Sequence, residues 1–484
     1  MRNAILSRML PAVGSSLVVL ALLAAQPTPA AQAAGPFEVG VEAYVYGYPL
    51  VMMGLTEEVT TNVPNGTTVL GRAPINQFAN ATVLPNASYT DVVLPNVNTL
   101  YSLAWLDLTR EPVILHVPDM GSRFFLFEVL DAWTNVNPSS PGARSATQAG
   151  NYAFVGPNWK GTLPAGMSGV YSMPTNTVWI IARTYTDGSA ADIATVVNTL
   201  QPQYTLTPLN KFGKSYTPDS HAPVNPQVDM TTPPFEQVDN MDAGTFFKGL
   251  ADLMRSNPPL PADAPMVAKL AQIGLIPGKP FEISRLDAAT RQALELAVQE
   301  GNELVTLVAT EPPQLTNGWD MPLHLGDYGT HYLFRASIAR NGVGANYFKD
   351  AVYGGGFDDN NGDSLDGSHT YQITFPAGQL PPANPAAFWS VTMYNAGLEN
   401  LVDNPIDRYA LGIPAVQDHL PCFNDDGSLT LFVQHDAPAD TSSIAYCNWL
   451  PAPADGFLLL MRTYWPGQSL FDGSWLPPVI QRTD

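Results

Sequence analysis

The stretch VLPNVNTLYSLAWLDL, residues 93–108, sets Asn96, Asn98, Thr99, Tyr101 and Ser102 among residues that belong inside a protein. Buried polar groups need partners. Such a strand either satisfies its own fold with them or turns them toward a ligand. A phenol can transfer a proton, and carboxamides can hold a polar substrate by hydrogen bonds. Strict alternation puts Asn96 and Asn98 on one face and Tyr101 on the other, unless the strand begins irregularly after Pro95. Asp131, Trp133 and Asn135 close a later apolar run, followed by Arg144 and Arg183. Tyr394, Arg408, Asn448, Trp449, Arg462 and Tyr464 repeat the theme. Arginine forks grip carboxylates through paired hydrogen bonds, and aromatic faces stack on flat or sugar rings. The expected site therefore has Tyr101 and Asp131 handling protons. Asn96, Asn98, Arg144, Arg183 and, across a domain junction, Arg462 hold the substrate.

Other chemistries lack their residues. The seven histidines form no H-x-H, H-E-x-x-H or Cys/His pair at metal spacing, so no metal site is expected. There is no G-x-S-x-G elbow, S-x-x-K, Walker loop or dinucleotide fingerprint, and no cofactor is evident. The acidic GFDDNNGDSLDG, 356–367, fails as an EF-hand loop. With Gly362 at the turn, the first ligand position falls on Phe357 and the last on Ser368. It reads as a turn-rich entry to a β domain.

The elements that must position these groups follow from composition and pattern. The chain has 484 residues, 13% charged, with 45 Pro and 38 Gly, which calls for several domains rich in turns. Arg2 and Arg8, the apolar run 12–25 and AQA at 31–33 make a secretory signal cleaved near Ala33. Its loss takes the net charge from −21 to −23. That disfavours nucleic acid and anionic lipid as partners, and no later run is long enough for stable membrane insertion. The expected partner is a small-molecule ligand, and apolar β domains of this kind are compatible with homo-oligomers. In an exported chain the two cysteines, Cys422 and Cys447, are expected to pair. Asn65, Asn80 and Asn86 stand in glycosylation sequons, which count only on a eukaryotic secretory route.

A helix is expected over 38–59, kinked at Pro49. Alternating β-branched and aromatic runs follow to about 235. Helices return over 240–310, capped by Asp242 and Asp263, the second ending at Gly274, with a third over 286–309. Strands resume to the end. The organisation read here is a signal at 1–33, an N-terminal helix and first β domain at 38–235, a helical bridge at 236–345 and a second β domain at 346–484. The fold class is mainly β (α+β overall), with two related antiparallel β-sandwich-like domains. The relation rests on a repeat: NWKGTLPAG then VWIIARTY in the first, NWLPAPADG then FLLLMRTY in the second.

EAYVYGYPLVMM, PNVNTLYSLAWLDL and PTNTVWIIARTY resemble the domain of unknown function 1254. NPIDRYALG, DGSLTLFVQHDAP and NWLPAPADGFLLLMRTYWP resemble its usual companion, the domain of unknown function 1214. The resemblance implies a β-rich, two-domain, commonly exported protein and no agreed reaction. Relatives often carry Asp where this chain has Asn98, so a carboxylate base is missing there. The functional expectation is an exported enzyme acting on a small polar or carboxylated molecule by hydrolase or lyase chemistry. The alternative is a noncatalytic, carbohydrate-type binding protein using Trp and Tyr platforms.

Overall fold

A computed structural model describes residues 34–67, 71–89, 93–145 and 148–484; the expected signal lies outside them. The first β domain has one sheet of β1 (Ala79–Asn80), β2 (Thr99–Asp107), β7 (Thr177–Tyr185) and β4 (Phe125–Asp131), in that spatial order. Its second sheet runs β6 (Gly169–Ser172), β5 (Gly150–Val155), β3 (Val113–Val117) and β8 (Thr205–Pro208). The other half repeats both orders. β9 (Trp319–Asp320), β10 (Ala351–Gly356), β16 (Phe457–Tyr464) and β12 (Trp389–Asn395) lie side by side, with β13 (Ala410–Ile413) added at the edge. Facing them are β15 (Trp449–Pro451), β14 (Leu429–Gln434), β11 (Tyr371–Phe375) and β17 (Gln481–Arg482). The pairings are antiparallel, except β5 with β6 and, at the matching place, β14 with β15.

Alternation explains the layers. Leu100, Ala104 and Leu106 of β2 pack with Phe125 and Phe127 of β4 against Val113, Leu115 and Phe154 of the opposite sheet. Val391, Leu459 and Met461 do the same against Ile373, Leu431 and Val433. The other faces of the two central sheets meet at a junction. There Val97 packs with Tyr394, Tyr409 and Leu458, and Phe124 with Phe388 and Tyr464.

A helical layer covers one side: α1 (Pro36–Thr61), α2 (Ala243–Ser256), α3 (Ala264–Leu270), α4 (Ala288–Thr310) and α5 (Tyr332–Gly342). Asp242 accepts from Thr245 N at 2.7 Å, and Gly274 closes its segment at φ +80, as the sequence suggested. Two readings change. Asp263 does not cap forward with its side chain; its carboxylate accepts the hydroxyls of Tyr46 (3.1 Å) and Tyr332 (2.9 Å). The N-terminal helix, grouped in sequence with the first β domain, packs instead on α2, α4 and α5. Its apolar and aromatic residues surround nearly the whole helix, so it is buried among other helices. Gly40 and Gly47 permit this, because a Cβ there would strike Leu294 and Leu250.

Candidate functional site

Segment 94–98 is not strand; β2 begins at Thr99. Leu94 takes a left-handed backbone at φ +50, held from across the junction. Its N–H donates to the Glu399 carbonyl at 2.8 Å, and its carbonyl accepts from Arg462 Nη2 at 2.9 Å. The Pro95 carbonyl accepts from the Tyr394 hydroxyl at 2.7 Å. This irregular start brings Asn96 to the same side as Tyr101.

Tyr101 stands directly opposite Arg183 in the β2–β7 register, and Tyr353 directly opposite Arg462 in β10–β16. Arg183 Nε donates to the Tyr101 hydroxyl at 3.3 Å, while Nη1 forms a buried ion pair with Glu128. Arg462 Nη1 donates to Thr392 Oγ1 at 3.0 Å. Counting from the arginine registers, Thr392 holds the place in β12 that Glu128 holds in β4. Asn96 Nδ2 donates to the Tyr464 hydroxyl at 2.8 Å, and its Oδ1 accepts from Asn98 N at 2.7 Å.

The electrostatics single out Tyr101. Burial raises its phenol, but the guanidinium of Arg183, then that of Arg462, outweigh burial, and the group lies below the ordinary tyrosine range. Burial dominates at Tyr353, helped by Tyr464, and holds it well above that range. Burial pushes Glu128 up to about 7 although Arg183 opposes it.

A cavity of about 510 Å³ opens beside Tyr101, within the roughly 300–1,000 Å³ range of small-molecule sites. Thr99, Tyr101 and Leu103, successive residues of one strand face, line it with Asn96. Thr99 Oγ1 is buried there and finds no hydrogen-bond partner among the described residues.

The structure thus brings Asn96 and Tyr101 to the cavity, with Arg183 behind Tyr101 and Arg462 behind segment 94–98. The other expected residues stand elsewhere. Asn98 is fully buried outside the lining, and its Oδ1 accepts from Ser390 Oγ at 2.9 Å. Arg144 is engaged with Asp350 at 2.6 and 3.1 Å. Asp131, pushed by burial up to about 6, accepts from Trp133 N and from the Asn135 backbone and side chain. Arg408 donates to the carbonyls of Tyr446, Cys447 and Trp449. Asn448 bridges Cys422 and Thr430. Cys422 and Cys447 are disulfide-bonded. Among the described residues no group of three His, Cys, Asp or Glu side chains is placed to hold a metal.

Sequence reasoning passed over Glu128, Tyr353 and Arg335. A single carboxylate inside RFFLFEVL was a visible signal for Glu128, since an isolated buried charge needs a cation. Tyr353 needed the strand register. Arg335 is fully buried, with no hydrogen-bond partner among the described residues at any side-chain nitrogen and the rings of Tyr46, Trp133 and Tyr332 at 5.3–5.7 Å. Its position within the apolar YLFRASIA was the only hint.

Two sandwiches of matching strand order, with a polar core between their central sheets and helices to one side, define a two-domain, mainly β protein. Residues 75–208 match the family described as "Protein of unknown function (DUF1254)", and residues 350–468 match "Protein of unknown function (DUF1214)". The chain belongs to the proteins that join these two domains in this order. The crystal structure of the VPA0106 protein from Vibrio parahaemolyticus is similar to it, with TM-score 0.67 and 22% identity over 93% of this chain and 100% of that one. An uncharacterized protein from Burkholderia cenocepacia aligns at TM-score 0.41 and 13% identity, over 91% of this chain and 88% of that one. No curated protein matches. Among the described residues no helix is long and apolar enough to cross a membrane.

Proposed function

We propose that the protein is an exported enzyme that uses Tyr101 for proton transfer on a small molecule with a polar or carboxylated head group. The observation that carries this is a phenol facing a cavity while two buried guanidiniums hold it below its ordinary pKa. A base poised nearer neutrality is what general base catalysis needs. In a hydrolysis, the Tyr101 phenolate takes a proton from water as its oxygen attacks the substrate carbonyl carbon. The departing group then leaves with that proton. In a lyase reaction the same phenolate takes a C–H proton beside the carbonyl, the freed electron pair forms a C=C bond as the substituent on the next carbon departs, and that substituent leaves with the proton. Asn96 and Thr99 border the head group. The signal-like sequence 1–33 and the disulfide support export.

The test is hydrolysis of p-nitrophenyl acetate by the purified chain and by Tyr101→Phe. The wild-type rate should rise with pH to an apparent pKa below 10, and the variant should lose about a hundredfold or more. A variant within twofold of wild type would remove Tyr101 from the chemistry. A wild type with no turnover on this or other carbonyl substrates would leave a binding protein.

A further inference from the structure

We infer that the ligand of this cavity is an acyl compound, a carboxylate or ester head on a hydrocarbon chain. This deepens the reading of Tyr101 given above and rests on it for the position of the head. None of the described lining residues is charged. Asn96, Thr99 and Tyr101 form one polar edge of the lining and Asn86, Ser88 and Tyr89 another, and Ala81, Val83, Leu84, Val93, Leu94 and Leu103 supply its apolar surface. The apolar surface continues outward, since Val83 is 61% and Val93 56% exposed. Apolar surface of this kind at the mouth of a cavity marks a binding face.

Charge fixes the direction of the chain. Two guanidiniums, Arg183, which shares its charge between Glu128 and the Tyr101 hydroxyl, and Arg462, bonded to the Leu94 carbonyl, stand behind the edge formed by Asn96, Thr99 and Tyr101. An oxygen-bearing head is stabilised there and a hydrocarbon along the apolar surface. The stacked pair Trp105–Trp179, the flat platform a sugar ring would use, is buried at 3% and 8% exposure and is not in the lining, so the apolar lining favours a hydrocarbon chain and glucose is the control ligand.

The experiment measures affinities of the full chain for butyrate, hexanoate, octanoate and decanoate, for their methyl esters, and for glucose and citrate. Dissociation constants should fall about two- to fourfold per added methylene, then level once the cavity is filled. Glucose and citrate should not compete. A chain-length series in the acids alone assigns a free acid, and one in the esters alone assigns an ester. Affinity independent of chain length in both series, or tighter binding of glucose or citrate, overturns the inference. Val83→Asp and Val93→Asp lie on the exposed rim, where folding is undisturbed, and should flatten the dependence. Tyr101→Phe should keep it. If that variant binds with the same chain-length dependence and also turns over normally, the proton-transfer reading fails while the acyl ligand stands.

Discussion

Arg183 and Arg462 occupy matched places in two sandwiches, each opposite a tyrosine on the neighbouring strand. Their surroundings then diverge. Arg183 meets a carboxylate, Glu128, and its tyrosine borders a cavity. Arg462 meets a hydroxyl, Thr392, and reaches across to the backbone of Leu94. Its tyrosine accepts from Asn346 Nδ2 at 2.7 Å and is held protonated by burial. One frame therefore carries two arginine–tyrosine pairs with opposite proton chemistry. The strand register supplies the pair. The third residue and access to the cavity decide what the pair does.

The largest expected effect lies in breaking the arginines separately. Arg183→Met leaves Glu128 buried without its cation and should destabilise by about 3–5 kcal/mol. Arg462→Met leaves only a hydroxyl and a carbonyl unpaired and should destabilise by about 1–3 kcal/mol. Denaturant melts of both test this, and equal losses would mean that Glu128 does not distinguish the halves. Next comes the disulfide, which spans 25 residues and lies in the second half alone. Thiol titration of the unfolded, unreduced protein should find no free thiol. Cys422→Ala with Cys447→Ala should destabilise by about 3 kcal/mol.

A comparable or smaller effect is expected at the matched positions Asn98 and Asp350, three residues before each tyrosine. Both reach the opposite domain, Asn98 to Ser390 and Asp350 to Arg144. Asn98→Ala should lower stability by roughly 1–3 kcal/mol and leave ligand affinity unchanged; the reverse pattern would place Asn98 in the site. Glu128 adds a dependence on pH that Thr392 cannot. Its folded-state pKa, about 7, lies above the ordinary 4.5. The folded protein keeps a proton that the unfolded chain has released, so stability falls as pH rises through that interval. Glu128→Gln should flatten this slope, by on the order of 1–3 kcal/mol. Asp131 and Glu57 act in the same direction and leave a residual slope. The smallest signal is spectroscopic. Ultraviolet titration should show one tyrosine ionising below the rest, lost in Tyr101→Phe and retained in Tyr353→Phe.

Much of this frame was legible in the chain. The Arg-Thr-Tyr strand endings at 183–185 and 462–464 mark β7 and β16, which hold the same place in their sheets. Alternation succeeded within β2 and failed just before it. At Leu94 and Pro95 the backbone is set by the other domain through Glu399, Tyr394 and Arg462, and no local pattern encodes partners some 300 residues away. This is why Asn96 and Tyr101 converge while Asn98 turns to Ser390. Asp263 was misread for a related reason. Its position before Pro265 fits a cap, but Tyr46, more than two hundred residues earlier, supplies a buried donor that wins the carboxylate. Arg144 and Asp131 have the right chemistry for a site and are engaged by Asp350 and by a local turn.

Segment 94–98 belongs to the first domain by sequence, yet the backbones of Leu94 and Pro95 and the side chains of Asn96 and Asn98 bond to the second. A chain emerging from synthesis makes them long before Ser390, Tyr394, Glu399 and Arg462 exist. The backbone groups of Leu94 and Pro95 must wait for those partners, a non-local closure of the kind that slows folding. Conversely, a second domain produced alone would leave Arg462 Nη2 and the Tyr394 hydroxyl without the Leu94 and Pro95 carbonyls that accept from them. The two domains thus complete each other's hydrogen bonding at this junction.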